Sequence, residues 1–172
     1  MSEAPAPRPK DDEPRIHPTA DLKNCRLGRS AEVKERVILR DVSLGDFSYI
    51  ERHAEAMYAD IGKFCSIAAN TRINKDIPPY FLVSEFDAAA HGLNIVGLRR
   101  AGFTSETLTA LKQAYRLLYR SALTREESLA RIEALNTPET KHLAAFIRTS
   151  KRGICPDYRA TQGSHSTTNS PE

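Results

Sequence analysis

Leu27-Gly28-Arg29-Ser30-Ala31-Glu32-Val33 returns as Leu44-Gly45-Asp46-Phe47-Ser48-Tyr49-Ile50 and again as Ile61-Gly62-Lys63-Phe64-Cys65-Ser66-Ile67. The copies lie 17 residues apart. Each reads aliphatic, Gly, two variable positions, a small residue, one variable position, aliphatic. Within and just beyond them an aliphatic side chain recurs every six residues: Leu27, Val33, Leu39; Leu44, Ile50; Ile61, Ile67, Ile73. That period fits neither the helical repeat of about 3.6 nor the strand repeat of about 2. It fits short strands joined by turns, three to a coil, with one aliphatic side chain per face pointing inward. The Gly is expected to supply unusual turn dihedrals, and the small residue a tight inner corner. These features predict a short left-handed parallel β-helix of hexapeptide repeats, about three coils over residues 16–74, led in by the turn Ile16-His17-Pro18-Thr19-Ala20. Three copies in register argue against a small sandwich with accidental periodicity.

Beyond Ile73 the pattern stops. Asp76-Ile77-Pro78-Pro79-Tyr80 reads as a chain exit, because paired prolines suit neither helix nor central strand. Residues 81–90 give no regular signal. Helices follow. Thr104 is placed to cap a helix in which Leu108, Leu111, Tyr115 and Leu118 form one apolar stripe. Thr124-Arg125-Glu126-Glu127 matches a capping box ahead of Leu129, Ile132 and Leu135. Thr137-Pro138 starts a third helix carrying Leu143, Phe146 and Ile147, which stops at Lys151-Arg152-Gly153. A short turn is expected near Asn94–Arg100. The predicted organisation is a β-solenoid over residues 15–76 and a small α-helical C-terminal subdomain over 77–155, between disordered tails at 1–14 and 156–172.

The chain has 172 residues, 40% hydrophobic and 27% charged, in the range of a soluble globular protein. No apolar run is long enough to span a bilayer, and the Pro-rich start lacks the apolar core of a secretory signal. Three cysteines without CxxC spacing argue against a disulfide framework or structural zinc, so a cytoplasmic setting and no metal are expected. Cys25 and Cys65 fall at small inner positions of the repeat and read as packing residues. The net charge of +3 is unevenly spread: residues 90–155 carry 11 Lys/Arg against 5 Asp/Glu, while residues 1–89 carry 13 against 15. The basic part is expected to meet something anionic. Nucleic acid is a poor fit, since the basic residues are not interleaved with aromatics and no reader motif is present.

Residues 77–155 resemble the acyl-ACP:UDP-N-acetylglucosamine O-acyltransferases that begin lipid A synthesis. The resemblance rests on Ile77-Pro78-Pro79-Tyr80, on His91-Gly92-Leu93-Asn94-Ile95-Val96-Gly97-Leu98-Arg99-Arg100 followed by Gly102-Phe103, on Ala114–Ser121, and on Ser150-Lys151-Arg152-Gly153-Ile154. Residues 14–74 resemble hexapeptide acetyltransferases that use acetyl-CoA, through Pro14–Ala20 and Tyr58–Ala68. The switch lies near Asn74-Lys75-Asp76, which suggests a fusion.

The first resemblance implies transfer of a 3-hydroxyacyl chain from acyl carrier protein to UDP-N-acetylglucosamine by a homotrimer, with no further cofactor. The second implies CoA-dependent acetylation of a small molecule. A third reading is a catalytically inactive fusion that trimerises and binds the nucleotide sugar. By resemblance, Asn94 and Arg100 contact the nucleotide sugar from a neighbouring subunit, and His91 is a third candidate substrate-binding residue. The family's acid two residues after the Asn is Val96 here, its second basic residue before Gly102 is Ala101, and its Gly-Asn pair is Glu85-Phe86. Acyl transfer needs a base for the acceptor hydroxyl, yet neither family's histidine maps onto this chain. His53, flanked by Glu51 and Glu55, is the candidate replacement. His17, His142 and His165 read as a turn, helix-surface and tail residue. The basic helical part is expected to steer the acidic carrier protein.

Overall fold

Packing of the repeated aliphatic positions winds the chain into four coils of a left-handed parallel β-helix rather than the expected three. The computed structural model describes residues 12–162; the expected tails before Asp12 and after Gln162, and His165 with them, lie outside the described residues. The first coil holds β1 (Arg15–Ile16), β2 (Asp21–Lys23) and β3 (Arg26–Leu27). The second holds β4 (Glu32–Val33), β5 (Ile38–Arg40) and β6 (Ser43–Leu44), and the third β7 (Tyr49–Ile50), β8 (Glu55–Met57) and β9 (Asp60–Ile61). The fourth holds β10 (Ser66–Ile67) and β11 (Arg72–Ile73), and Ile77 bridges to Ile61 on its third side. Strands one coil apart pair in parallel: Arg15 lies beside Glu32, Glu32 beside Tyr49 and Tyr49 beside Ser66. Each inward column is apolar and buried, as in Val33–Ile50–Ile67 and Leu44–Ile61–Ile77.

The corners differ from the sequence expectation. Gly28, Gly45 and Gly62 do not adopt positive φ. Among the described residues before the helices, eleven non-glycine residues do, in three columns: Asn24, Asp41, Tyr58; Ser30, Phe47, Phe64, Tyr80; and Arg36, His53, Asn70, Glu85. The left-handed conformation turns each corner N–H toward the preceding coil. Asp41 donates to Lys23 O, Phe47 to Arg29 O, His53 to Glu35 O, Phe64 to Asp46 O and Tyr80 to Lys63 O, at 2.8–3.0 Å. The glycines serve close approach instead. A Cβ on Gly45 would lie 2.5 Å from Lys63 N, and one on Gly62 would lie 2.4 Å from Pro79 N.

The repeat also runs past its expected end. Beyond β11 the step between coils shortens from 17 residues to 16 at Ile61–Ile77 and Ser66–Leu82, and to 15 at Arg72–Asp87. The stretch without regular signal is a β-hairpin, β12 (Phe81–Ser84) and β13 (Ala89–Leu93), whose first strand pairs in parallel with β10 and whose second closes the sheet antiparallel. A short helix α1 (Ile95–Arg100) leads into three longer helices, α2 (Ser105–Tyr119), α3 (Arg125–Ala134) and α4 (Pro138–Thr149). Their starts follow the expected caps: Thr104, Thr124 and Thr137 each accept a backbone N–H of the first turn, and Thr124 forms a capping box with Glu127.

Helices and solenoid share one core. Phe103 packs edge-on to Phe64, 5.0 Å between ring centroids, where Phe64 stacks on Phe47 along a corner column. The chain then returns to the top of the solenoid. Ile154 bridges Asp76, whose buried carboxylate accepts from Asp60 N and from Ser150 Oγ. Residues 156–162, expected to be tail, continue this return: Ala90 N donates to Pro156 O, the buried Asp157 accepts from Tyr115 Oη, and α5 (Tyr158–Gln162) packs on β13. Too few apolar residues mark this stretch for it to be read from sequence. None of the helices described is long and apolar enough to cross a membrane.

Two outcomes follow. Gly45→Ala forces backbone apart at a coil contact and is expected to cost roughly 1–3 kcal/mol or more in urea unfolding. Burial pushes the thiols of Cys65 and Cys155 up to about 12, whereas Cys25 is half-buried on the first coil. Native protein at pH 8 is therefore expected to be alkylated at Cys25 alone, and unfolded protein at all three, as read by mass spectrometry. The native thiols keep protons that unfolded ones release, so stability falls as pH rises from about 9 towards 12.

Candidate functional site

The 17-residue step stacks outward side chains as well as inward ones. On the sheet containing β4 and β7, Glu32 lies beside Tyr49, and Lys34 and Glu51 follow two residues on along the same strands. Lys34 Nζ is 2.7 Å from Glu32 Oε2, a contact that holds its ammonium above the usual lysine range. Tyr49 Oη accepts from Ser66 Oγ at 2.6 Å. The helical part adds Arg100. This exposed guanidinium, at the C-terminal end of α1, lines an open cavity of about 340 Å³ together with Glu32, Lys34, Tyr49 and Glu51. Two cations, two carboxylates and a phenol on one concave surface match a ligand that carries both anionic and hydroxyl groups.

Of the sequence candidates, only Arg100 reaches this cavity. Asn94 is buried, and its carboxamide makes two hydrogen bonds within the chain. Its Oδ1 accepts from Gly97 N at 3.1 Å, capping α1, and its Nδ2 donates to Phe64 O at 3.0 Å. A Cβ on Gly97 would fall 2.4 Å from that Nδ2, which explains the Asn-x-x-Gly spacing. Asn94 thereby fixes α1 against the solenoid and sets where Arg100 stands.

His91 lies in a second cavity of about 270 Å³ between β13 and α2, with Lys112, Arg116 and Arg120. Its ring stacks on Tyr158 at 4.1 Å, and Nε2 sits 3.1 Å from Glu85 Oε1 without hydrogen-bond geometry. His53 occupies an exposed left-handed corner, and among the described residues its ring has no hydrogen-bond partner to orient it. It does not line the Arg100 cavity, whereas Glu51 does. Among the described residues no cluster of His, Cys, Asp or Glu could hold a metal ion. Sequence reading missed Glu32, Lys34, Tyr49 and Glu51; the signal was present in the 17-residue step, which sets outward positions of neighbouring coils side by side.

Comparison with known proteins converges on one family. Residues 76–155 match the family model described as UDP N-acetylglucosamine O-acyltransferase, domain 2. The acyl-[acyl-carrier-protein]--UDP-N-acetylglucosamine O-acyltransferase of Alkalilimnicola ehrlichii is 36% identical over 140 residues, covering 76% of this chain and 52% of its own. A crystal structure of a UDP-N-acetylglucosamine acyltransferase superposes with a TM-score of 0.79 at 26% identity, over 85% of this chain and 58% of that one. The UDP-N-acetylglucosamine acyltransferase from Campylobacter jejuni gives 0.73 at 28%, over 82% and 59%. The chain thus spans about half the length of the curated relatives it matches. An alignment of 140 residues necessarily runs upstream of residue 76, into the solenoid. The similarity to these acyltransferases therefore covers part of the segment that resembled acetyltransferases, and residues 76–155 are similar to their second domain.

Asn94→Ala removes the α1 cap and leaves Phe64 O without its donor. It is expected to lower stability by about 1–3 kcal/mol in chemical unfolding.

Proposed function

We propose that this chain serves acyl transfer from acyl carrier protein to UDP-N-acetylglucosamine in lipid A synthesis, with Arg100 as its nucleotide-sugar contact. The supporting observation is the cavity that Arg100 shares with Lys34, Tyr49 and Glu51, at the position where the resemblance expects a diphosphate partner. Arg100 and Lys34 suit phosphate oxygens, and Glu51 and Tyr49 suit sugar or ribose hydroxyls. Asn94 acts through α1 rather than on the ligand. The working division is a solenoid over residues 15–76 and an acyltransferase C-terminal domain over 77–155.

The reading includes a homotrimer in the cytoplasm. Ile38, Met57, Tyr58, Leu82 and Phe86 are large apolar side chains exposed on the outer faces, consistent with association. The free cysteines suit a reducing compartment. Arg148 is neutralised by Glu126 and Glu133, so steering of an acidic carrier falls to exposed cations such as Arg125, Arg131 and Lys151.

Calorimetric titration with UDP-N-acetylglucosamine is expected to show binding that Arg100→Ala weakens by about 10-fold or more. Unchanged binding in the variant removes the role of Arg100. Turnover with a hydroxyacyl carrier donor is then compared in native chain and His53→Ala. A base at His53 predicts a loss of about 100-fold or more. Sugar binding without turnover leaves a nucleotide-sugar binder in place of an enzyme.

A further inference from the structure

The cavity between β13 and α2 is separate from the one that Arg100 lines, and its charge is unbalanced. α2 has only two basic residues of its own, Lys112 and Arg116, and with Arg120 at its C-cap they follow one another at four-residue steps. All three line this cavity, whereas the one acidic residue of α2, Glu106, sits in its first turn and does not. Like charges four residues apart destabilise a helix, so gathering them on one face works against the fold. Arg120 is partly offset by Asp157, with Nε 3.6 Å from its carboxylate, and its guanidinium lies over the Tyr115 ring at 5.3 Å. Among the described residues neither Lys112 nor Arg116 forms an ion pair. His91, fixed by Tyr158 and facing Glu85, adds a ring whose Nε2 is buried with no hydrogen bond.

We infer that this cavity is a phosphate-binding site that takes a small phosphomonoester. Its volume of about 270 Å³ is at the small end for ligand pockets, which suits a phosphoryl group with a short substituent. Lys112 and Arg116 supply the charge for a dianion, and the Arg116 fork supplies paired donors. Glu85 and Asp157 are the acidic groups beside the cavity; Glu85 faces the His91 ring and Asp157 faces Arg120, so neither is paired with Lys112 or Arg116. The inference is independent of the Arg100 cavity.

The test is titration of the full chain with inorganic phosphate and with glycerol 3-phosphate, followed by amide chemical-shift mapping. The expected shifts centre on Gly92, Lys112 and Arg116. Lys112→Glu is expected to weaken both anions by about 10-fold or more. It should not lower the melting midpoint, because a Glu at that position pairs favourably with Arg116. Binding of phosphate alone, with glycerol 3-phosphate excluded, overturns the ester and leaves an inorganic anion site. Shifts centred on Lys34 and Arg100, an unchanged affinity in Lys112→Glu, or no binding of either anion overturns the site. A variant that instead loses only an acidic carrier protein also overturns it, in favour of a macromolecular surface.

Discussion

The architecture depends on a backbone conformation that most residues avoid. At most corners of the solenoid one residue takes positive φ, and for most of these the N–H meets a carbonyl one coil below. For a non-glycine residue that conformation costs about 1 kcal/mol. The cost recurs along each corner column, and at most of these residues so does the hydrogen bond that offsets it. In the second coil, Arg36 N turns to the Thr19 hydroxyl of the first coil instead of a carbonyl. Uniform corners keep the coils in register, and register stacks both the aliphatic columns inside and the polar columns outside. The candidate cavity is a product of that outer stacking.

The helical part is fastened to the solenoid at a few buried points. Asn94 joins the start of α1 to Phe64, a corner residue of the third coil. Phe103 packs on the same ring. Asp76 ties the last coil to Ser150 at the end of α4. The solenoid surface and Arg100 are therefore held in one rigid relation, and α1 stands between two differently charged cavities. Ile95 at its start borders the basic one, and Arg100 at its end borders the mixed one.

The solenoid was legible because its signal is periodic and repeated three times. Its glycines were noticed for the right positions but the wrong reason, since Phe47, Phe64 and Tyr80 gave no sign of left-handed φ. The fourth coil was missed because shortening by one or two residues breaks the count, and Pro78 and Pro79 look like an ending. Helices α2, α3 and α4 were legible from caps and stripes alone. Arg100 was reached through resemblance, whereas its neighbours Lys34, Tyr49 and Glu51 are ordinary surface residues in one dimension. They become a group only when coils are laid side by side. The helix-capping role of Asn94 was legible as well, whereas its hydrogen bond to Phe64 O, 30 residues upstream, was not.

The return of residues 153–157 to the top of the solenoid bears on how the chain is made. Gly153 O and Cys155 N pair with Asp76, and Pro156 O pairs with Ala90. The partners that seal the fourth coil thus leave the ribosome long after the coil itself. Coils one to three gain their neighbours as synthesis proceeds, each on the one before. The last coil and the hairpin wait, with open edges, for some eighty further residues to emerge. The contacts of coils one to three are thus local in sequence, whereas the last coil and the hairpin are sealed by partners some eighty residues further along the chain.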